Sequence, residues 1–164
     1  METEKDRALD KTVSLIRAHL AVGSRGSAED GATLLSQGIG AILSLTATVP
    51  GLKLPHHTVE IQDRYPLPSG AIRESVGFID YYRQRGRRVL VHCEMGISRS
   101  PSICACFLHE SEGLALEEAH QQIKIHHPIA DPHPVLLASI EEYYQNHCSR
   151  RDDLAKPSWP GVGR

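Results

Sequence analysis

Cys93 and Arg99 stand near the two ends of the run His92-Cys93-Glu94-Met95-Gly96-Ile97-Ser98-Arg99-Ser100, which places a thiol and a guanidinium across a stretch too short to do anything but curl. The preceding Arg88-Val89-Leu90-Val91 reads as a buried strand. Pro101 followed by Ser102-Ile103-Cys104-Ala105-Cys106-Phe107-Leu108 reads as an apolar helix with proline in its first turn. In a strand-to-helix turn the backbone N–H groups of Glu94, Met95, Gly96, Ile97, Ser98 and Arg99 can all point at one anion, and the helix N-terminus adds partial positive charge. Gly96 supplies the backbone freedom that a tight curl needs. Such a loop is a cradle for a phosphate.

The chemistry follows from the same arrangement. A helix N-terminus, inward N–H donors and a neighbouring guanidinium favour thiolate over thiol, which makes Cys93 a nucleophile at neutral pH. Arg99 can grip two equatorial oxygens of a phosphoryl group and stabilise the charge they gain in the transition state. Ser100 can donate a hydrogen bond to the sulfur and ease its departure. His92, at the strand end, fixes the loop and tunes Cys93 rather than transferring protons. A buried cysteine beside a surface arginine is the bland alternative. It explains neither the glycine nor the strand-loop-helix setting.

These residues resemble the His-Cys-x5-Arg-Ser/Thr signature of the cysteine-based protein tyrosine phosphatases, and the short chain resembles their small dual-specificity branch. The resemblance covers about residues 13 to 147 and includes Leu20-Ala21-Val22-Gly23-Ser24, similar to the family's opening strand. It implies an α/β fold with a central, mostly parallel sheet flanked by helices, a two-step hydrolysis that uses no metal and no cofactor, and phosphorylated proteins as substrates. It also implies an acid for the leaving oxygen, carried on a loop about thirty residues before the cysteine. Thr58-Val59-Glu60-Ile61-Gln62 alternates like a strand and ends at Asp63, which is 30 residues before Cys93 (93 − 63). The rival is Asp131 in Ala130-Asp131-Pro132, because another phosphatase branch carries its acid downstream of the cysteine. That branch has its cysteine loop near the chain start, unlike this chain. One departure stands out. Where the family often has Pro-Asn-x-Gly-Phe, whose asparagine steadies the phosphate loop, this chain has Asp131-Pro132-His133-Pro134-Val135, with His133 as the candidate substitute.

Composition agrees with one enzyme domain of 164 residues and a nearly neutral net charge of −2, which gives no electrostatic footprint for nucleic acid or an anionic membrane. Arg83, Arg85, Arg87 and Arg88 read as a solvated helix end complementing its dipole. No apolar stretch reaches the length of a membrane span. The start Met1-Glu2-Thr3-Glu4 is unlike a signal peptide, so a cytoplasmic location is expected, with the nucleus as a further one in a eukaryote. Four cysteines without a C-x-x-C pair argue for a reducing compartment, and Cys104 and Cys106 read as core-filling thiols. The pairs His56-His57 and His126-His127 lack metal-ligand spacing.

Along the chain, residues 1–12 read as an extension, 13–148 as the catalytic domain and 149–164 as a tail whose Trp159 could dock on the surface. Val13 to Val22 reads as one or two strands ending at Gly23. Ser27 caps a helix through about Gln37 with Gly38 as its stop, and Ile39 to Leu45 is the next strand. Ser69 caps a helix ending at Gly86, and helical stripes follow over Leu116 to Ile123 and Pro134 to His147. Glu94, beside the phosphate, disfavours polyanionic head groups, and the scarcity of aromatic residues implies a shallow pocket. The expectation is therefore dual specificity with phosphotyrosine preferred. A phosphatase of phosphoinositides or other non-protein phosphomonoesters and a phosphate-binding pseudophosphatase are the alternatives.

Overall fold

The computed structural model describes residues 11–147, except for the side chain of Ser69; the N-terminal extension and the tail with Trp159 fall largely or wholly outside them. The elements run β1 (Val13–Arg17), β2 (Leu20–Gly23), α1 (Arg25–Glu29), α2 (Gly31–Ser36), β3 (Ile39–Ser44), β4 (His56–Thr58), α3 (Ser69–Arg83), β5 (Arg88–His92), α4 (Arg99–Glu112), α5 (Leu116–His126) and α6 (Pro134–His147). Among the described residues the sheet has five strands in the order β1-β2-β5-β3-β4, antiparallel only between β1 and β2. The expected α/β fold with a mostly parallel, helix-flanked sheet is therefore present.

Strand alternation divides the core into two layers. Leu20, Val22, Ala41, Leu43, Val89 and Val91 face one side, under Ile72, Phe78 and Ile79 of α3, Ile103 to Leu108 of α4, Ala119 and Ile123 of α5, and Leu136 and Ile140 of α6. Ala21, Ile42 and Leu90 face the other side, under Ala28 of α1 and Leu34 of α2. The middle strand β5 is covered on both faces, which is why it reads as an unbroken apolar run. Its register with β3 sets Ser44 beside His92 at the sheet's C-terminal edge. There the chain turns out of the sheet and into α4.

The structure redraws several boundaries. The helix expected from Ser27 is two short helices, because Ser24 caps the first by accepting from Ser27 N–H at 3.3 Å and the Asp30 carboxylate recaps the second by accepting from Thr33 N–H at 3.2 Å. The hydroxyl of Ser27 is buried and donates to the Thr12 carbonyl instead. The first long helix, α3, starts at Ser69 with Pro68, not Ser69, in the cap position and no side-chain cap bond. β4 lies at His56–Thr58, earlier than the expected Thr58 to Gln62, although Val59 and Ile61 keep the alternation and are buried. Gly38, Gly86 and Gly113 end their helices at φ of +64°, +70° and +70°. No helix among the described residues is long and apolar enough to cross a membrane.

Candidate active site

Cys93 follows the last residue of β5 and is 2 % exposed. From there the loop curls because its carbonyls are tied outward. The Glu94 carbonyl accepts from Arg25 N–H at 3.1 Å, the Gly96 carbonyl from His127 Nε2 at 2.6 Å, and the Ile97 carbonyl from Asp131 N–H at 2.7 Å. In a trans peptide the carbonyl and the next N–H point opposite ways, so these three tethers turn the N–H groups of Met95, Ile97 and Ser98 toward the inside of the curl. Gly96 has φ +72°, and a Cβ there would lie 2.9 Å from the Gly23 carbonyl, so no other residue fits without strain.

The N-terminus of α4 is left open for a ligand. Ser98 holds the cap position without capping; its Oγ accepts instead from His133 N–H at 2.9 Å, and Pro101 has no N–H to satisfy. The first N–H groups of the helix thus keep their positive end directed at the loop.

Three side chains complete the cradle. Ser100 Oγ lies 3.2 Å from Cys93 Sγ and 3.4 Å from the Gly23 carbonyl, which can only accept. Against a thiol, the hydroxyl donates to Gly23. Against a thiolate, it can turn and donate to sulfur. His92 is fully buried, and burial pushes its imidazole down to about 4, which keeps it neutral. Its Nδ1 donates to the Cys93 carbonyl at 3.1 Å, and its Nε2 lies 2.6 Å from Ser44 Oγ. Arg99 Nη1 donates to the Ile61 carbonyl at 2.9 Å, while Ile61 N–H donates to Leu45. Asp63 sits two residues beyond that anchor, exposed and in a turn, followed by Arg64 at φ +66°. The guanidinium therefore joins the phosphate loop to the segment that carries the candidate acid.

Residues 20–146 match the family model described as dual specificity phosphatase, catalytic domain. The chain belongs to this family. It is a small dual-specificity phosphatase domain of the cysteine-based protein tyrosine phosphatase superfamily. Human dual specificity protein phosphatase 2 is 34 % identical over 133 residues, which cover 78 % of this chain and 42 % of that protein. The chain thus spans less than half the length of that relative. The dual-specificity phosphatase fold recurs in the crystal structure of DUSP15, with a TM-score of 0.75 at 27 % identity over 81 % of this chain and 87 % of that one. Human DUSP28 gives 0.76 at 21 % identity over 84 % and 95 %.

Against this family the departure downstream of the cysteine acquires a structural answer. No asparagine steadies the loop. The backbone N–H groups of Asp131 and His133 and the imidazole of His127 hold it, while the His133 ring accepts from Val135 N–H and takes no part. His127 is 2 % exposed and neutral, its pKa lowered by burial, and its Nδ1 accepts from Ser14 Oγ at 2.7 Å. Asp131 lines a separate groove of about 460 Å³ with Pro101, Leu116, His120, Leu137 and Ile140. Glu94 faces outward, with its carboxylate 3.6 Å from Arg25 Nη1, so its charge is partly met and repels a polyanion less than the sequence alone implies. Met95, 61 % exposed, Ile97 and Tyr65 present apolar surface on the two loops. Cys104 and Cys106 are buried in the core, and burial pushes the Cys106 thiol up to about 12, which leaves it inert. No group of three or more His, Cys, Asp or Glu among the described residues is placed to hold a metal ion.

Ser44, His127, Ser14 and the Gly23 carbonyl are site residues that sequence reading did not single out. Each acts across a strand or a helix, and no local pattern marks it.

Proposed function

We propose that this domain hydrolyses phosphotyrosine, and phosphothreonine or phosphoserine more slowly, in phosphorylated proteins, by way of a cysteinyl-phosphate intermediate. The observation that carries the reading is the loop itself: Sγ lies at its base beside Ser100, and three outward tethers aim N–H groups at the space above the sulfur. In the first step the Cys93 thiolate attacks phosphorus, the bond to the leaving oxygen breaks, and the Asp63 carboxyl gives that oxygen its proton. Arg99 and the inward N–H groups hold the three equatorial oxygens throughout. In the second step the Asp63 carboxylate takes a proton from water, the water oxygen attacks phosphorus, and sulfur leaves as a thiolate that Ser100 stabilises by donating to it. The reaction needs Cys93 as a free thiolate, and Cys93, Cys104 and Cys106 form no disulfide, which supports a cytoplasmic setting where thiols stay free.

Phosphate release from phosphotyrosyl peptides, phosphothreonyl peptides and a phosphoinositide at matched concentration, with chelator present, tests the substrate class. Phosphotyrosine should lead and the lipid should trail. A lipid rate equal to or above the peptide rate overturns the protein reading. The acid is tested by the leaving group. Asp63→Asn should slow an alkyl phosphate by roughly 10²- to 10⁴-fold and an activated aryl phosphate far less, since the latter departs without a proton. The same signature from Asp131→Asn, and not from Asp63→Asn, moves the role downstream.

A further inference from the structure

On the sheet face that packs against α1 and α2, a polar row runs beside the apolar cluster of Ala21, Ile42 and Leu90. Ser44 on β3 lies level with His92 on β5 and diagonal to His56 on β4, which is level with Ile42, and Ser44 Oγ is 2.8 Å from His56 Nε2 and 2.6 Å from His92 Nε2. Hydrogen-bond chemistry gives this row one direction. The Cys93 carbonyl can only accept, so His92 Nδ1 carries the ring proton. The neutral ring then has only a lone pair on Nε2, so Ser44 must donate to it. A hydroxyl has one proton, so Ser44 Oγ must accept from His56 Nε2–H. The row reads His56 N–H to Ser44 O–H to His92, and His92 N–H to the carbonyl of the nucleophile.

His92 needs only Ser44 and the Cys93 carbonyl to be satisfied. His56 is surplus to that need, stands on the edge strand and reaches solvent. We propose that His56 is a positioning residue that, through Ser44 and His92, transmits its own protonation state to Cys93 and sets the reactivity of the thiolate. The inference rests on Cys93 being the nucleophile of the reaction proposed above. A charged imidazolium keeps the same Nε2–H and donates more strongly. It then polarises the Ser44 hydroxyl and, through it, the His92 N–H toward the Cys93 backbone, because hydrogen bonds in series strengthen one another. The added positive potential favours negative charge on sulfur.

The groups facing the row are few. His57, next on β4, opposes protonation of His56 but lies on the other face, bonded to Glu74 of α3. Glu29 and Arg25 of α1 act on His92 with opposite signs. Burial and His57 together lower the His56 pKa, so the transition lies on the acid side of the ordinary imidazole range.

The test reads Cys93 directly. Alkylation of Cys93 by iodoacetamide, followed across pH and mapped by peptide mass, needs no turnover. His56→Leu removes the donor, and the rate at pH 6 should fall by roughly three- to tenfold, with the half-maximal pH moving up by about half to one unit. His56→Gln offers an amide N–H where Nε2 was and should recover most of that loss, while the acid-side inflection due to His56 disappears. Thermal melts of both variants confirm folding. A folded His56→Leu protein with the wild-type alkylation curve overturns the proposal, as does equal impairment of the two variants, which would make His56 a packing residue only. A shifted alkylation curve in a protein that releases no phosphate would instead leave the relay standing and sink the phosphatase reading.

Discussion

Cys93→Ser is expected to abolish phosphate release, by at least about 10⁴-fold in kcat, while the protein still binds phosphate-like oxyanions. Serine keeps the size of the side chain and its partner at Ser100, 3.2 Å away, and leaves the outward tethers of the loop untouched. It lacks a thiolate at neutral pH, so the cradle persists without its nucleophile. Single-turnover assays for release, vanadate or tungstate protection of the thermal melt for binding, and circular dichroism for the fold check the three parts separately. Residual turnover near the wild-type rate, or a phosphorylated wild-type enzyme that maps to another residue, would remove Cys93 from the first step.

Arg99→Lys should lower kcat by roughly 10²- to 10³-fold with a smaller rise in KM. An ammonium keeps the charge but cannot present two parallel N–H donors to two phosphoryl oxygens. In this protein it also loses a second function, because Arg99 Nη1 donates to the Ile61 carbonyl two residues before Asp63. The loss should therefore extend to the step that depends on the acid. The measurement is the leaving-group series: in Arg99→Lys the gap between alkyl and aryl phosphates should widen. A uniform loss across leaving groups would show that the Ile61 contact does not position the acid segment.

The chemistry of this site is legible in the sequence because it is local. Strand, loop and helix are consecutive, the apolar run of β5 and the wholly buried stretch from Ser100 to Leu108 announce themselves, and Gly96 and Pro101 mark the turn. What is not legible is held across distance. The bond from His127 to Gly96 spans 31 residues and that from Ser44 to His92 spans 48, and neither donor carries a pattern that distinguishes it from other polar residues. The caps of α1 and α2 are not legible for a related reason. Ser24, Ser27 and Asp30 are all good capping types, and only the burial of Ser27 against Thr12 decides among them. The alternation places β4 too late because the burial of Val59 and Ile61 continues after regular pairing with β3 has ended. Position in the sequence points to His133 as the support of the loop; its backbone N–H holds Ser98, while its ring accepts from Val135 N–H.

The outward tethers also bear on how the domain folds. The loop between Cys93 and Ser98 is held by Arg25 from early in the chain, by His127 through a ring that leans on Ser14, and by the backbone of Asp131 and His133 from late in it. Closing those links spends the chain entropy of long intervening segments, which is recovered only when the sheet and its helices have already docked. The curl is accordingly expected to form late in folding, and substitutions that cut its tethers, such as His127→Ala, should speed unfolding while leaving the folding rate nearly unchanged in a chevron analysis. Competence to hold a phosphate and completion of the fold become one cooperative event, so a partly folded chain of this kind carries a cysteine but no enzyme.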